Sequence, residues 1–403
     1  MNLSDFQSLL EPDGQRCLEE AVALNPQEKD FLQHFEALSR KYPRDLARAA
    51  LETAILREKA TSKFPFAERM YFTREALEQA SAWEVSTYRC ERFQPFERVV
   101  DLGCSIGGDT LALSEVTSVI GIDIDTLRLA MARANARAIY PQSSISYFQA
   151  DVSKHLPVSP YPNLGLFFDP SRRTEGGRIY SVHDYHPPLG IINTWLTEYP
   201  AIGVKISPGV NLDELRGFEA ELEFISLRGE LKEAVLWFGS LKTSCRRATV
   251  LPGPYTLEED FVYSEEEDRE RLPLDEPHKC LYEPDPSILR SKLVSKLGEI
   301  IGAAQLDHDI AYLTADKFVE TPFARGWQVE DWFPFGLKRL RAVLRERGVG
   351  KVVVKKRGSP IQPEDLIRDL RLKGDQERVI FLTHLRGKPI VVICLPRLLP
   401  EGS

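Results

Sequence analysis

Short apolar stretches that alternate with helical patterns between residues 96 and 251 restrict the possible folds of this chain more than any other feature. Strand-like runs at 99–100, 119–122 and 164–168 are separated by helical patterns, the clearest at 110–113 and 127–138. Strands that are joined by helices pair in parallel, so the pattern predicts an α/β fold with a parallel sheet. Further strands are predicted at 145–148, 201–206, 224–227, 233–238 and 248–251.

The two ends of the chain have different patterns. Apolar residues recur at helical spacing near the start, which predicts a helical region. After the sheet, a run rich in Asp and Glu is predicted to be a solvated linker. A helix over 288–301 and a strand pair at 379–383 and 390–395 predict a smaller α+β domain. The predicted organisation is a helical region at 1–80, a sheet domain at 81–256, an acidic linker at 257–279 and an α+β domain at 280–403.

The turn after the first predicted strand has the features of a ligand-binding turn. Gly103 can adopt backbone angles that other residues avoid. Gly107 allows the start of the next helix, with its free N–H groups, to approach a ligand closely. Glycine turns between a strand and a helix are common, so the prediction of a site also depends on the carboxylates that follow.

Carboxylates stand at the ends of four successive predicted strands. Asp101 precedes the glycine turn, and Asp123, Asp151 and Asp169 come at the ends of the next three strands. Because the carboxyl ends of parallel strands meet at one edge of the sheet, we expect these side chains to line one crevice. Asp123, 22 positions after Asp101, is placed to accept hydrogen bonds from the ribose hydroxyls of a nucleoside, and Asp151 to meet its adenine edge. The alternative is that Asp123 and Asp151 only cap the helices that follow them.

The glycine spacing distinguishes between classes of nucleotide cofactor. A dinucleotide site has the pattern G-x-G-x-x-G, whereas here three residues separate Gly103 from Gly107 and Asp101 comes first. This pattern resembles motif I of the class I S-adenosylmethionine-dependent methyltransferases, D/E-x-G-x-G-x-G, with Ser105 in place of the middle glycine. The resemblance covers about residues 81–255 and implies a Rossmann-like class I methyltransferase sheet.

The resemblance also implies the cofactor and its contacts. The cofactor would be S-adenosyl-L-methionine (SAM), with Asp101 and Gly103 facing the methionine moiety, Asp123 the ribose and Asp151 the adenine. The full set of implied cofactor-binding residues is Asp101, Gly103, Cys104, Ser105, Gly107, Asp123, Ile124, Asp151 and Val152.

Several other stretches resemble a bacterial group of proposed methyltransferases in which a THUMP-like domain follows the catalytic domain. The matching stretches are LEQAS at 77–81, DPSRR at 169–173, VKISP at 204–208, LKE at 231–233, YEPDP at 282–286, YLTAD at 312–316 and KKRG at 355–358. This resemblance covers nearly the whole chain after residue 50 and implies RNA as the substrate only by analogy with the name of the domain.

Asp169 and Pro170 are the predicted catalytic residues. Methyl transfer to a nitrogen or oxygen requires alignment of the acceptor and removal of a proton, for which a carboxylate beside the sulfonium is suited. The pair resembles the first half of motif IV of amino-group methyltransferases, D/N-P-P-F/Y/W, but Ser171 follows and no aromatic residue comes next.

Two groups of basic residues are predicted to bind substrate. Arg172 and Arg173 follow the catalytic pair and are suited to gripping a phosphate or carboxylate. Lys355, Lys356 and Arg357 belong to a C-terminal segment, 285–403, in which Lys and Arg outnumber Asp and Glu by six, and they are predicted to contact RNA phosphates. The alternatives are that the two arginines brace their own loop and that the C-terminal cations are a solvated face.

Composition limits the other partners. No apolar run approaches the roughly 20 residues of a membrane helix, and the start of the chain has no secretion signal, so we expect no membrane partner. The six cysteines are scattered, and the histidines at 183 and 186 lack an evident third ligand. We therefore expect no metal and a cytoplasmic location. The sequence does not indicate an oligomeric state.

Three hypotheses follow for function. The first is a SAM-dependent methyltransferase that acts on RNA, with the C-terminal domain positioning the RNA. The second is a methyltransferase for a protein or a small anionic molecule. The third is a SAM-binding module without catalysis.

Overall fold

A computed structural model describes residues 1–171, 173–174, 177–178, 181–262 and 264–396. The chain forms two compact units, the first made of Met1–Leu222 and Lys232–Thr243 and the second of Glu223–Leu231 and Ser244–Ser403. Each unit contains both α-helices and β-strands. Within the described residues, no helix is both long enough and apolar enough to cross a membrane.

The first unit begins with helices, as the apolar spacing predicts. They are α1 (Leu3–Leu10), α2 (Pro12–Ala23), α3 (Phe31–Leu38), α4 (Arg44–Ala60), α5 (Arg74–Gln79) and α6 (Trp83–Cys90). Asn2 caps α1 through a reciprocal pair of hydrogen bonds with Asp5. The helices share one hydrophobic core with Ile106, Leu111 and Met131, so this region packs directly on the sheet domain.

The strands that follow are β1 (Arg98–Leu102), β2 (Ser118–Asp123), β3 (Ile145–Gln149), β4 (Leu164–Phe168), β5 (Arg173–Thr174), β6 (Gly177–Arg178), β7 (Ala201–Ile206), β8 (Glu221–Leu227) and β9 (Glu230–Gly239), with helices α7 (Gly108–Leu113), α8 (Thr126–Ile139) and α9 (Ile192–Trp195). Six of these strands are hydrogen-bonded side by side in the order β9-β7-β4-β1-β2-β3. All neighbours are parallel except β7 and β9. The predicted parallel α/β sheet is confirmed.

The register of the central strands sets the position of the candidate site. Asp101 on β1 is level with Gly121 on β2 and with Phe167 on β4. The peptide N–H of Asp169 donates to the carbonyl of Leu102 across 3.0 Å, which continues the β1–β4 pairing to the end of both strands. The residues after β1, β2, β4 and β7 therefore meet at one edge of the sheet.

The second unit adds β10 (Arg246–Leu251), β11 (Tyr255–Glu259), α10 (Glu265–Glu270), β12 (Cys280–Pro284), α11 (Pro286–Arg290), α12 (Val294–Ile301), β13 (Ala304–Asp307), β14 (Ile310–Ala315), β15 (Ala324–Pro334), α13 (Leu337–Glu346), β16 (Val349–Lys356), α14 (Pro363–Leu370), β17 (Gln376–Leu385) and β18 (Lys388–Cys394). Seven of these strands form a sheet of order β13-β14-β12-β15-β18-β17-β16. The predicted α+β pattern and the predicted hairpin of β17 and β18 are confirmed.

Two segments of this unit differ from the sequence-based prediction. The predicted helix over 288–301 is two helices, because Lys292 adopts a φ of 58° between them. The start of the predicted solvated linker is strand β11, in which Leu257 and Glu259 are buried. Glu259 is tolerated there because Arg271 pairs with its carboxylate at 2.7 Å. The domain boundaries proposed from the sequence remain predictions.

Candidate active site

The glycine turn between β1 and α7 is held tightly against the neighbouring strands. Gly103 and Gly107 have φ angles of 81° and 84°, which glycine adopts without strain. The N–H groups of Gly103 and Cys104 both donate to the carbonyl of Ile122, at 2.8 and 3.0 Å. A Cβ atom on Gly103 would lie 2.6 Å from the carbonyl oxygen of Asp169, so the backbone of the turn touches the end of β4.

Asp101 lies beneath this turn and is almost completely buried. Thr110 Oγ1, on α7, donates a hydrogen bond to Asp101 Oδ2. Burial, and after it the nearby charge of Asp109, raises the pKa of Asp101 to about 8. Burial therefore favours the protonated form of Asp101.

The raised pKa predicts how stability depends on pH. When the pH rises above 3.8, the ordinary pKa of this group, Asp101 loses its proton in the unfolded chain. In the folded chain it keeps the proton until about pH 8. The contribution of Asp101 to the free energy of unfolding is therefore fully present below pH 3.8 and is lost as the pH rises from there to about 8. Asp101→Asn, an isostere of the protonated group, should gain stability relative to the wild type between pH 5 and 8. Urea unfolding of both proteins measures the difference; a pH-independent difference would contradict the raised pKa.

Asp123, at the end of β2, is connected to the same turn. Its Oδ2 accepts a hydrogen bond from the N–H of Ser105 at 2.8 Å, and its Oδ1 accepts one from the N–H of Asp125 at 2.9 Å. Burial raises the pKa of Asp123, and these amide hydrogen bonds oppose the rise. Both oxygens are thus oriented by backbone donors and keep lone pairs for a ligand. The helix α8 is capped by Asp125 rather than by Asp123.

The end of β3 lies beside Asp123. The N–H of Ala150 donates to the carbonyl of Asp123 at 3.1 Å, which brings Asp151 next to this loop. Asp151 Oδ1 accepts hydrogen bonds from the N–H and the hydroxyl of Ser153, so the carboxylate already closes a local turn, as in the capping alternative. The apolar side chain of Ile124 is 63% exposed, and that of Val152 is half-buried. The role of Asp151 in binding adenine and that of Val152 in binding the cofactor remain predictions.

Asp169 and Pro170 follow β4 at the same edge. The side chain of Asp169 is 21% exposed, and Pro170 is buried. Arg172 lies outside the described residues, and only the backbone of Arg173 is described, as the first residue of β5. The prediction that these arginines bind substrate therefore stays a prediction.

A buried network of charges adjoins Asp169, and sequence reasoning missed it. Lys205, on β7, is 2.7 Å from Asp169 Oδ2 and 3.8 Å from Asp109 Oδ2. Arg89, on α6, bridges Asp109 and Glu233, and its guanidinium stacks on the ring of Phe167 at 4.5 Å. A single lysine within the otherwise apolar strand AIGVKI was the sequence signal that could have identified Lys205.

The C-terminal basic group lies on β16 and the turn after it, in the second unit. Lys355 pairs with Glu283, and its ammonium lies 5.0 Å from the centre of the Trp327 ring. Arg357 approaches Glu283 at 3.9 Å. Lys356 donates to the side-chain oxygen of Gln362 at 2.8 Å. Two of the three predicted phosphate contacts thus share an internal carboxylate.

The described part of the chain contains no group of three or more His, Cys, Asp or Glu side chains arranged to hold a metal ion. Of the two histidines considered in the sequence, His186 forms a pair of backbone hydrogen bonds with Ser171. This pairing fixes the backbone of Ser171, which follows the predicted catalytic pair.

Family models match three parts of the chain. A model described as RNA cap guanine-N2 methyltransferase matches residues 96–170, which include the glycine turn and Asp169. A model described as THUMP domain-like matches residues 324–396. A domain of unknown function matches residues 2–60.

Whole-chain relatives agree with these matches. An uncharacterised S-adenosylmethionine-dependent methyltransferase of Mycobacterium tuberculosis is 36% identical over 363 residues, which cover 85% of this chain and 94% of the relative; a second strain has the same similarity. The crystal structure of a proposed methyltransferase from Porphyromonas gingivalis is 22% identical, with a TM-score of 0.75, and covers 92% of this chain and 99% of that one. That likeness shows that the two chains share a fold along nearly their whole length.

Proposed function

Because the chain belongs to the S-adenosylmethionine-dependent methyltransferases, we propose that it transfers a methyl group to a nitrogen atom of RNA held beside Asp169. The observation that carries this proposal is the convergence of the glycine turn and Asp169 at one sheet edge, where a Cβ on Gly103 would meet the Asp169 carbonyl at 2.6 Å. A cofactor in the turn and an acceptor at Asp169 would be neighbours.

The residues around the turn fit SAM. Gly103 has no side chain, so the turn can lie against the end of β4, where a Cβ atom would meet the Asp169 carbonyl oxygen at 2.6 Å. Asp123 presents a carboxylate that two backbone amides orient. The buried hydroxyl of Ser105 has no hydrogen-bond partner among the described residues. A buried polar atom of this kind suits a ligand that supplies a partner. When bound, SAM supplies a methyl group on a positively charged sulfur.

We assign the following roles to the chain's own residues. Asp101 and Gly103 face the methionine moiety, Asp123 holds the ribose hydroxyls, and Ile124 presents an exposed apolar side chain to the adenine. Asp169 orients the acceptor and receives the proton that a nitrogen must lose. Pro170, buried behind it, fixes the backbone path.

Replacing Asp123 with alanine is expected to weaken SAM binding by about 1–3 kcal/mol, because a buried acceptor for two ribose hydroxyls is lost. Isothermal titration calorimetry measures the change. Asp125→Ala is the control, since it removes the cap of α8 without removing Asp123. Equal SAM affinity in Asp123→Ala and the wild type would contradict the ribose assignment.

Two matches support RNA as the acceptor. The model that covers the glycine turn describes enzymes that methylate an exocyclic nitrogen of guanine in RNA, and the C-terminal segment matches a THUMP domain-like model. The C-terminal cations would supply phosphate contacts. The same proposal places the reaction in the cytoplasm, whose reducing conditions suit six free cysteines.

Incubation with methyl-labelled SAM and total bacterial RNA, protein and metabolite fractions tests the proposal. We expect label in RNA that ribonuclease releases, and chromatography of the digested nucleosides then identifies the methylated base. Label confined to the protein or metabolite fraction would contradict RNA as the acceptor and leave the methyltransferase activity standing. No label in any fraction would contradict methyl transfer itself.

The internal pairing of Lys355 and Arg357 with Glu283 favours a second candidate. In this alternative the C-terminal domain is structural, and the substrate is a protein or a small anionic molecule. The two readings predict different effects of changing the cations. If these cations bind RNA, neutralising Lys355, Lys356 and Arg357 together should weaken RNA binding. The slope of log affinity against log salt concentration should also become shallower, by the equivalent of up to about three phosphate contacts. Fluorescence anisotropy at several salt concentrations measures the RNA affinity and its salt dependence. If neither changes, the result would favour the alternative.

A further inference from the structure

Lys205 is a charged residue inside an apolar strand, and the roles assigned so far leave it unused. All six residues of β7 are buried, and the Lys205 side chain is only 3% exposed. Removing an ammonium group from water costs several kcal/mol unless the protein supplies charged partners. The position of Lys205 therefore depends on the carboxylates around it.

Those carboxylates form a chain of alternating charge that ends at the proposed transfer site. Lys205 lies between Asp169 and Asp109, and Arg89 lies between Asp109 and Glu233. Ser86 donates to Asp109, and Ser81 donates to Glu233 at 2.8 Å, so hydroxyls also support the chain. The exposed fraction of the side chain is 1% at Arg89 and 3% at Lys205, but 21% at Asp169. The network thus opens to solvent at Asp169.

We propose that Lys205 is a positioning residue for methyl transfer, whose ammonium binds Asp169 Oδ2 and holds that carboxylate in the orientation that receives the acceptor's proton. The inference rests on the proposed transfer at Asp169 and is independent of whether the acceptor is RNA. Asp109, Arg89 and Glu233 in turn hold Lys205 on the side away from the solvent.

The chemistry assigns Lys205 no bond-making step. The acceptor nitrogen forms a bond to the methyl carbon, the carbon–sulfur bond breaks with its electron pair on sulfur, and the nitrogen's proton passes to the Asp169 carboxylate. An ammonium 2.7 Å from Oδ2 fixes the plane of that carboxylate. Displacement of a reacting group by about 1 Å can lower a rate by about 10²-fold.

The competing interpretation is that Lys205 only stabilises the fold. Kinetics of Lys205 variants in the wild-type and in the Asp169→Asn background distinguish the two interpretations. We would compare the full-length wild type with Lys205→Met, Lys205→Arg, Asp169→Asn and the double variant Lys205→Met/Asp169→Asn. The assay uses methyl-labelled SAM and total bacterial RNA, with protein and metabolite fractions assayed in parallel. Arg271→Met is the matched control, because it removes another mostly buried cation that binds two glutamates in the second unit.

If Lys205 acts through Asp169, Lys205→Met should keep its SAM affinity and its KM for the acceptor but lower kcat by about 10²-fold. In the Asp169→Asn background the same change should lower kcat no further. Lys205→Arg, which keeps the charge, should recover part of the rate, and Arg271→Met should keep the wild-type kcat.

Three results would overturn the inference. The first is a Lys205→Met variant with wild-type kcat. The second is a double variant in which the losses of kcat from Lys205→Met and Asp169→Asn multiply fully, which indicates a structural role for Lys205. The third applies if Lys205→Met does not fold: a loss of kcat in Lys205→Arg that multiplies fully with that of Asp169→Asn would exclude positioning through Asp169. If the wild-type protein labels no fraction, both the proposed function and this inference are wrong. If the wild-type protein is active and Lys205→Met is equally active, only the inference is wrong.

Discussion

Replacing Asp169 with asparagine is expected to lower the rate of methyl transfer by about 10²–10⁴-fold, the usual contribution of a positioned general base. The amide has nearly the shape of the carboxylate and its oxygen can still accept a hydrogen bond from Lys205, which lies 2.7 Å from Oδ2. What the variant loses is the capacity to receive a proton. SAM binding should therefore be unchanged, and the loss should be confined to kcat.

The measurement is initial-rate kinetics with labelled SAM beside calorimetry with SAM alone. Asp285→Asn is the matched control, because it makes the same change directly after strand β12 of the second unit, where the carboxylate closes a local turn with Ser287. We expect its effect on kcat to be small. A fully active Asp169→Asn variant would remove Asp169 from the chemistry and with it the proposed location of transfer.

The sequence predicted the parts of the fold that depend on local pattern. The strands β1, β2 and β4 were predictable, because buried parallel strands are short apolar runs bounded by turns. The second sheet was harder. Its strand β15 carries Arg325, Glu330 and Asp331 among its apolar residues, and a shift of register near Val329 interrupts the alternation that marks a strand.

The candidate site was predictable where motif and strand end coincide, and the rest of it depends on tertiary pairing. Gly103 and Asp123 are recognisable from spacing, whereas Arg89 and Glu233 are 144 positions apart and meet only in the folded protein. The same holds for Glu259, whose burial in the predicted linker depends on Arg271. A charged residue in a sequence does not identify its partner, so buried networks are the features that sequence patterns miss.

Replacing Gly103 with alanine is expected to destabilise the protein and to lower its affinity for SAM by more than about tenfold, which corresponds to about 1.4 kcal/mol. Alanine at a φ of 81° costs about 1–2 kcal/mol in conformation alone. The new methyl group would also meet the carbonyl oxygen of Asp169 at 2.6 Å, so β1 and β4 must separate at the end where they carry the site. That movement would disturb the N–H groups of Gly103 and Cys104, both of which donate to Ile122.

Gly387→Ala is the control that separates the cost of the positive φ angle from the cost of the collision with Asp169. Gly387 has a nearly equal φ of 76°, but a Cβ atom there would have no neighbour within 4 Å, so the control carries the conformational strain without the collision. Urea unfolding should show a larger loss for Gly103→Ala than for Gly387→Ala, and calorimetry should show weaker SAM binding only for Gly103→Ala. Equal losses of stability with unchanged SAM affinity would mean that the end of β4 yields easily, and that the close contact between the turn and Asp169 does not shape the cofactor site.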